Sequence, residues 1–208
     1  MGTIKYSLLT DKDALSVVDC VVKTFLYDEP MTKNLGITDS EFEVFATAIC
    51  KKCIGKKLSY VCKNGRGKVV GFSLNEDLIS DEQLPLDKIT KKMNPIFNIL
   101  ERLDSLYVGD KKKTKKVFFH LFMGGSLSEY RNKGIVKKLI VKSLALAKKK
   151  NYKFAFGEAT NLKSQNLVKG FGFEEINRIK YSEFKFNGAK IFKNIGEEYC
   201  KLMELKLS

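Results

Sequence analysis

Apolar residues recur every three or four positions over 136–147, and this spacing predicts an amphipathic helix. Lysines occupy the opposite face of that helix. Strand-like runs lie on either side, at 117–126 and at 152–159. A strand, a turn, a helix and a second strand form a unit in which a ligand binds at the carboxyl ends of the strands.

The N-terminal part of the chain alternates between strand and helix patterns. Residues 4–9 form a predicted strand, and a helix is expected over 11–26. Pro30 prevents an immediate continuation of that helix, because proline lacks the backbone N–H that a helix interior needs. Thr38 is expected to cap a second helix that ends near residue 54.

Further along, Asn64-Gly65 predicts a hairpin between two strands that start near residues 58 and 68. Helical spacing over 86–106 is interrupted by Pro95. Residues 175–186 and 199–207 alternate like two final antiparallel strands. The sequence therefore predicts a mixed α/β protein.

The chain has 208 residues and 44% apolar content, which suits one well-cored domain. Its formal charge of +14 is carried by lysines spread along the chain, a pattern typical of a solvated surface. No basic stretch is interleaved with stacking aromatics, so nucleic-acid binding is not expected. No apolar run reaches the ~20 residues of a membrane span, and no signal sequence is apparent; a cytoplasmic location is expected.

Five cysteines lie among apolar neighbours, and reduced, buried thiols are expected. Cys50 and Cys53 have a CxxC spacing, but there is no second CxxC and the single histidine is distant. No metal site is expected, and the CxxC pair indicates one face of a helix.

The turn before the helix at 136–147 has the features of an anion site. Gly134 lets a ligand approach the backbone, and the first helical turn offers free N–H groups. Lys133, Lys137 and Lys138 add positive charge. A diphosphate would fit this turn.

Two motifs here resemble those of the GCN5-related N-acetyltransferases (GNAT). Their acyl-CoA signature is Arg or Gln, two residues, Gly, one residue, and Gly or Ala. It appears as Arg131, Gly134 and Val136, with valine as a departure at the last position. The second motif is Asn161, followed by Gly172-Phe173 at the end of the next helix.

Towards the N-terminus the resemblance narrows to the invertebrate arylalkylamine N-acetyltransferases. Residues 25–37 contain their Asp-Glu-Pro segment, and 69–78 resembles their next strand. The resemblance implies a single GNAT domain over 1–208. Its fold would be a central, mostly antiparallel, twisted sheet of about seven strands, splayed between strands 4 and 5 and flanked by helices.

The resemblance also implies acetyl-CoA as co-substrate. Backbone groups of Gly124, Gly125 and Ser126 are expected to hold the pantetheine and the thioester carbonyl, and the two glycines suit a strand that bulges or splays. Asn161 is expected to contact the pantetheine arm. The residues expected at the diphosphate are Asn132, Lys133, Gly134, Ile135, Val136 and Lys137.

Acyl transfer to an amine requires a base for the ammonium proton, a stabilised oxyanion and a proton for the thiolate. The resemblance places Glu29 beside the acetyl group as the base; the alternative is a solvated loop carboxylate. His120 matches one of two relay histidines of the vertebrate branch, and Phe122 takes the place of the other. Ser164 would donate to the thiolate or cap a helix, and Val168 stands where many members have a tyrosine acid.

The expected acceptor is a small primary amine of the arylalkylamine kind, bound by a monomer or homodimer. Asp28 or Glu29 would attract its ammonium. The aromatic pocket would comprise Phe25, Tyr27, Phe97 and Tyr107. A polyamine or a protein lysine is an alternative acceptor, and a catalytically silent acyl-CoA sensor is an alternative function. The acidic cluster expected to suit a polyamine comprises Glu76, Asp77, Asp81 and Glu82.

Overall fold

The computed structural model describes residues 3–79, 84–108 and 114–207, without the side chains of 106–108. Seven strands in these ranges form one sheet. They are β1 (Lys5–Leu8), β2 (Tyr60–Lys63), β3 (Val69–Asp77), β4 (Phe118–Ser126), β5 (Phe154–Ala159), β6 (Glu174–Lys180) and β7 (Tyr199–Lys206). Their order is β1-β2-β3-β4-β5-β7-β6, and only β4 and β5 pair in parallel. The predicted fold class is confirmed.

Helices cover both faces of the sheet. In the described ranges they are α1 (Ala14–Asp28), α2 (Pro30–Asn34), α3 (Asp39–Cys53), α4 (Asn94–Val108), α5 (Ile135–Lys149) and α6 (Leu162–Lys169). Successive strand side chains point to opposite faces. Phe72 of β3 accordingly packs against Phe25 of α1, whereas the adjacent Ser73 accepts a hydrogen bond from Ser143 of α5. Residues of both α1 and α5 line the site described below.

Two prolines start helices, because proline suits the first helical turn, where its missing N–H is not needed. Helix α1 ends at Asp28, two residues beyond the expected end, and Pro30 then opens α2 with Glu29 as the N-cap. Pro95 lies in the first turn of α4 and so does not interrupt that helix. Thr38 caps α3 as predicted.

All five cysteines are buried and unbridged, as expected, and Cys50 and Cys53 lie together in α3. Among the described residues, no group of His, Cys, Asp and Glu has the arrangement of a metal site. Within the same ranges no helix is both long and apolar enough to cross a bilayer.

The sheet is split between β4 and β5. These strands pair only over Phe118–His120, and His120, opposite Phe156, is the last residue of β4 that pairs with β5. Strand β4 continues to Ser126 on its β3 side alone. The predicted splay is therefore confirmed, although the bulge in β4 falls at Phe122, before the glycines.

Candidate active site

A cavity of about 970 Å³ opens where β4 and β5 part. Its walls come from α1, α3, α4, α5 and α6 and from the diverging strands. A volume of this size holds a ligand as large as a cofactor together with a small molecule. Among the described residues, the charged ones that line it are six acids and two bases: Asp28, Glu29, Glu101, Asp104, Glu158, Glu197, Arg131 and Lys163.

The turn before α5 has the geometry of an anion site. Gly134 is in the left-handed conformation with φ of 69°, and it contributes no side-chain cap to α5. Asn132 also has a positive φ, of 57°. The N–H groups of the first turn of α5, which include those of Ile135, Val136 and Lys137, therefore have no side-chain acceptor from the cap. Free N–H groups at the positive end of a helix suit a diphosphate.

The side chains beside this turn are already engaged. Arg131 lines the cavity and forms an ion pair with Asp28 at the end of α1. Lys133 donates a hydrogen bond to the main-chain oxygen of Glu129 at 2.7 Å. Lys137 and Lys138, which were expected to add positive charge here together with Lys133, are exposed on the first turn of α5.

The end of β4 offers backbone groups to the cavity. Gly124, Gly125 and Ser126 all line it, and they pair with β3 on one side only. A Cβ on Gly125 would lie 2.5 Å from the side chain of Thr24, so only glycine lets α1 pack this closely. The groups on the other edge of β4 are free to bind an extended amide-bearing ligand, as a neighbouring strand would.

Asn161 and Ser164 form the N-terminal cap of α6 and also line the cavity. The Asn161 Oδ1 atom accepts a hydrogen bond from Ser164 N at 2.8 Å, and Ser164 Oγ donates to the main-chain oxygen of Asn161 at 2.8 Å. Ser164 therefore takes part in the cap of α6, which was one of the two roles predicted for it. Its contact with a thiolate, and that of Asn161 with pantetheine, stay predictions.

Glu29 is a buried carboxylate, 8% exposed, and not a solvated loop residue. Its Oε2 atom accepts hydrogen bonds from Thr32 N at 2.6 Å and from Thr32 Oγ1 at 2.7 Å. Burial raises the pKa of Glu29, although these hydrogen bonds oppose the shift. Glu29 is on the cavity wall, where a raised pKa makes it a better proton acceptor.

His120 lies behind the cavity wall, between two carboxylates. The His120 Nε2 atom is 2.9 Å from Glu158 Oε2, and Nδ1 is 3.3 Å from Glu76 Oε1. Burial alone would lower its pKa, but Glu158 and Glu76 outweigh burial and raise the pKa to about 10. Lys52 pairs with Glu76 at 2.5 Å, and the pKa of Glu76 falls to about 2 despite its burial. His120 is therefore a fixed cation at neutral pH.

Glu158, which contacts His120, also lines the cavity, and there it interacts with Asp104 of α4. Burial and the charge of Glu158 raise the pKa of Asp104 to about 8, whereas His120 lowers that of Glu158 despite its burial. Neither acid was predicted from the sequence. Glu158 could have been recognised as a candidate because it is a charged residue in the apolar run of β5. Asp104 could not, because helix α4 has many polar positions.

The far side of the cavity is aromatic, with contributions from Phe25, Phe42, Phe45 and Phe97. Phe25 and Phe97 were predicted; Phe42 and Phe45 were not. The prediction for Tyr27 is wrong, because this side chain is 64% exposed at the outer face of α1. The side chain of Tyr107 lies outside the described part.

The acidic cluster expected near the acceptor is not placed there. Glu76 is paired with His120 and Lys52, and Asp77 accepts a hydrogen bond from Lys116 N at 2.7 Å. Neither residue lines the cavity. Asp81 and Glu82 lie outside the described residues. The acidic lining comes instead from α1, the N-cap of α2, α4, β5 and the segment before β7.

A mostly antiparallel seven-stranded sheet with helices on both faces, split beside the turn that begins α5, is the GNAT acyl-CoA N-acyltransferase fold. No family model matches the chain.

Solved structures share this fold over nearly the whole chain. The C-terminal condensation domain of Ebony, in complex with beta-alanyl-dopamine, is similar with a TM-score of 0.87 and 18% identity, over 99% of this chain and 100% of that one. Arylalkylamine N-acetyltransferase 2 from Aedes aegypti has a TM-score of 0.83 and 24% identity, with the same coverage. The polyamine N-acetyltransferase of Drosophila melanogaster has a TM-score of 0.78 and 15% identity, again over 99% and 100%. At these identities the likeness defines the fold.

Proposed function

We propose that this chain is an acetyl-CoA-dependent N-acetyltransferase in which a small primary amine attacks the thioester directly. The observation that carries the proposal is the split beyond His120, where unpaired backbone of β4 and the buried carboxylate of Glu29 share one cavity. The similar structures include an arylalkylamine N-acetyltransferase and a polyamine N-acetyltransferase, which supports the same reaction class.

Three groups of residues would hold coenzyme A. The turn and helix start over 132–137 would bind the diphosphate through backbone N–H groups. Gly124, Gly125 and Ser126 would pair with the pantetheine amides along the free edge of β4, and Asn161 would contact the same arm. Bound acetyl-CoA supplies an acetyl group activated as a thioester.

Glu29 is assigned as the base that takes the proton from the attacking amine. Its burial raises its pKa, and it belongs to the same cavity wall as the end of β4. Ser164 is proposed to donate towards the departing sulfur. His120 was expected to relay a proton; because both of its ring nitrogens face carboxylates, which raise its pKa to about 10, we propose instead that it holds Glu158 in place.

The acceptor is proposed to be an amine with an apolar body, of the arylalkylamine kind. Phe25, Phe42, Phe45 and Phe97 provide the apolar surface, and carboxylates provide local attraction for a cation. A polyamine is the second candidate, because six acids line the cavity against two bases. The overall charge of +14 would repel cationic amines at a distance, so attraction must be local.

A two-stage experiment tests the proposal. CoA is expected to raise the melting temperature, since a ligand at 100 times its Kd stabilises by about 2.7 kcal/mol. Thiol release from acetyl-CoA is then measured with a panel of primary amines. Stabilisation without turnover would indicate the acyl-CoA sensor, and stabilisation by DNA but not by CoA would indicate a nucleic-acid binder.

A further inference from the structure

The carboxyl groups of Asp104 and Glu158 lie together at the cavity wall. The Glu158 side chain is 4% exposed, and its Oε2 atom is engaged by His120 at 2.9 Å. Its Oε1 atom and the Oδ1 atom of Asp104 are buried, and apart from the hydrogen bond that the two carboxyls make with each other when one is protonated, neither atom has a donor among the described residues. A buried acceptor without a donor costs free energy unless a ligand or a proton supplies one.

The surrounding charges balance only if the pair keeps one proton. His120 and Lys52 supply two positive charges, which Glu76 and Glu158 match; an ionised Asp104 would be a third negative charge without a partner. Burial raises the pKa of both Cys200 and Tyr181, so these neighbours stay neutral. The titratable groups around the pair are His120, Glu76, Lys52, Cys200, Tyr181 and Glu29.

The pair lies at a defined place relative to the base. Thr160, whose side chain faces Glu29 and lowers the pKa of that carboxyl, is two residues beyond Glu158 along the chain. Two residues of extended strand span about 7 Å. An amine that reacts beside Glu29 can therefore extend along β5 and place a second group at Asp104 and Glu158.

We propose that the Asp104–Glu158 pair is a subsite for a second cationic group of the acceptor, so that diamines are preferred to monoamines of the same shape. The proposal rests on the N-acetyltransferase function above. An ammonium supplies the donors that the two buried oxygens lack and replaces the shared proton, which passes to solvent. The charge balance of the buried cluster is then unchanged, and binding releases one proton.

Matched amines separate this charge effect from packing. Benzylamine and p-xylylenediamine share an aromatic body, and butylamine and putrescine share an aliphatic one; each pair differs in the second ammonium. In the wild type kcat/KM is expected to be at least about tenfold higher for each diamine, the scale of one charged hydrogen bond.

Asp104→Asn is the test variant, because asparagine can still donate a hydrogen bond to Glu158 but cannot release a proton. The ratio of kcat/KM for diamine to monoamine is expected to fall about tenfold. Asp19→Asn is the matched control: Asp19 pairs with Lys23 and Lys68 away from the cavity, and the ratio should stay at the wild-type value. An unchanged ratio in Asp104→Asn would overturn the subsite.

Calorimetry gives a second readout that needs no turnover. Each amine is titrated into the CoA-saturated wild type in two buffers that differ in ionisation enthalpy. p-Xylylenediamine is expected to release about one proton more than benzylamine. Equal proton release would show that the carboxyl pair is only structural. Turnover of both amines at similar rates would contradict the subsite but support the acetyltransferase function. Diamine-specific proton release without turnover would support the subsite but contradict the acetyltransferase function.

Discussion

The carboxylate of Glu29 both caps α2 and lines the cavity. Capping requires an oxygen acceptor, which glutamine keeps, whereas proton transfer requires the carboxylate, which glutamine lacks. A single substitution therefore separates the two roles. The raised pKa of the carboxyl also gives activity a dependence on pH that a capping role alone would not produce.

Glu29→Gln is expected to lower kcat by about 100-fold or more, the usual contribution of a general base. The Kd for CoA should stay within about twofold of the wild-type value, because the anion turn is untouched. Steady-state thiol release and calorimetry measure the two quantities. The acidic limb of the wild-type profile of kcat/KM against pH should lie above the ordinary glutamate pKa of 4.5 and be absent in the variant.

Glu41→Gln is the control for the loss of a capping carboxylate. Glu41 accepts a hydrogen bond from Thr38 N at 2.9 Å in the cap of α3, outside the cavity. Its kcat should equal that of the wild type. Unchanged kcat in Glu29→Gln would remove Glu29 as the base.

At the scale of elements, the split between β4 and β5 and the turn before α5 define the cofactor side. Gly134 has a φ of 69°, and a Cβ there would meet nothing within 4 Å. Alanine at this position costs about 1 kcal/mol of backbone strain, which the chain can relieve only by changing the turn. The direction of the first N–H groups of α5 would then change.

Gly134→Ala is therefore expected to weaken CoA binding by about tenfold, in addition to a loss of stability of about 1 kcal/mol. Gly188→Ala is the matched control, since Gly188 has a φ of 82°, also with nothing within 4 Å, in a turn away from the cavity. It should lose similar stability but bind CoA as the wild type does. Equal CoA affinity in both variants would contradict the assignment of the diphosphate to this turn.

Much of this architecture could be predicted from local pattern. The apolar spacing of α5, the Thr38 cap and the Asn64-Gly65 hairpin are short-range signals, and each is confirmed. The effect of Pro30 was harder to predict, because a proline can end one helix or start the next. Here Pro30 starts α2, and the hydrogen bonds that the Glu29 side chain accepts from the first turn stabilise that start. The partners of His120 could not be predicted, because they depend on the register of β3, β4 and β5 and on the approach of α4.

At the scale of the whole molecule, the buried charge cluster links stability to pH. The folded-state pKa of His120 is about 10, against an ordinary value of 6.5, so the native state retains this proton longer than the unfolded chain does. The stability that His120 contributes is fully present below pH 6.5 and is lost as the pH rises through about 10. The pKa of Asp104 is raised from 3.8 to about 8, so the stability that protonated Asp104 contributes is likewise lost as the pH rises through about 8.

The melting temperature of the wild type is therefore expected to fall between pH 7 and pH 10. His120→Gln should be less stable at pH 7 by about 3–5 kcal/mol, because it leaves buried carboxylates uncompensated, and its melting temperature should depend less on pH. Urea unfolding and thermal scans measure both effects. Lys92→Met, which breaks the more exposed Lys92–Glu41 pair, should keep the wild-type slope; a parallel slope in His120→Gln would exclude His120 as the source.

The position of β7 has a consequence for the order of assembly. Although β7 follows β6 in the chain, it lies between β5 and β6, and β5 has no other antiparallel neighbour. During synthesis, residues 154–180 therefore emerge from the ribosome well before the strand at 199–206 that joins them. The nascent chain can complete the β1–β4 half early, but the wall that carries Glu158 and Asn161 closes only when β7 is inserted.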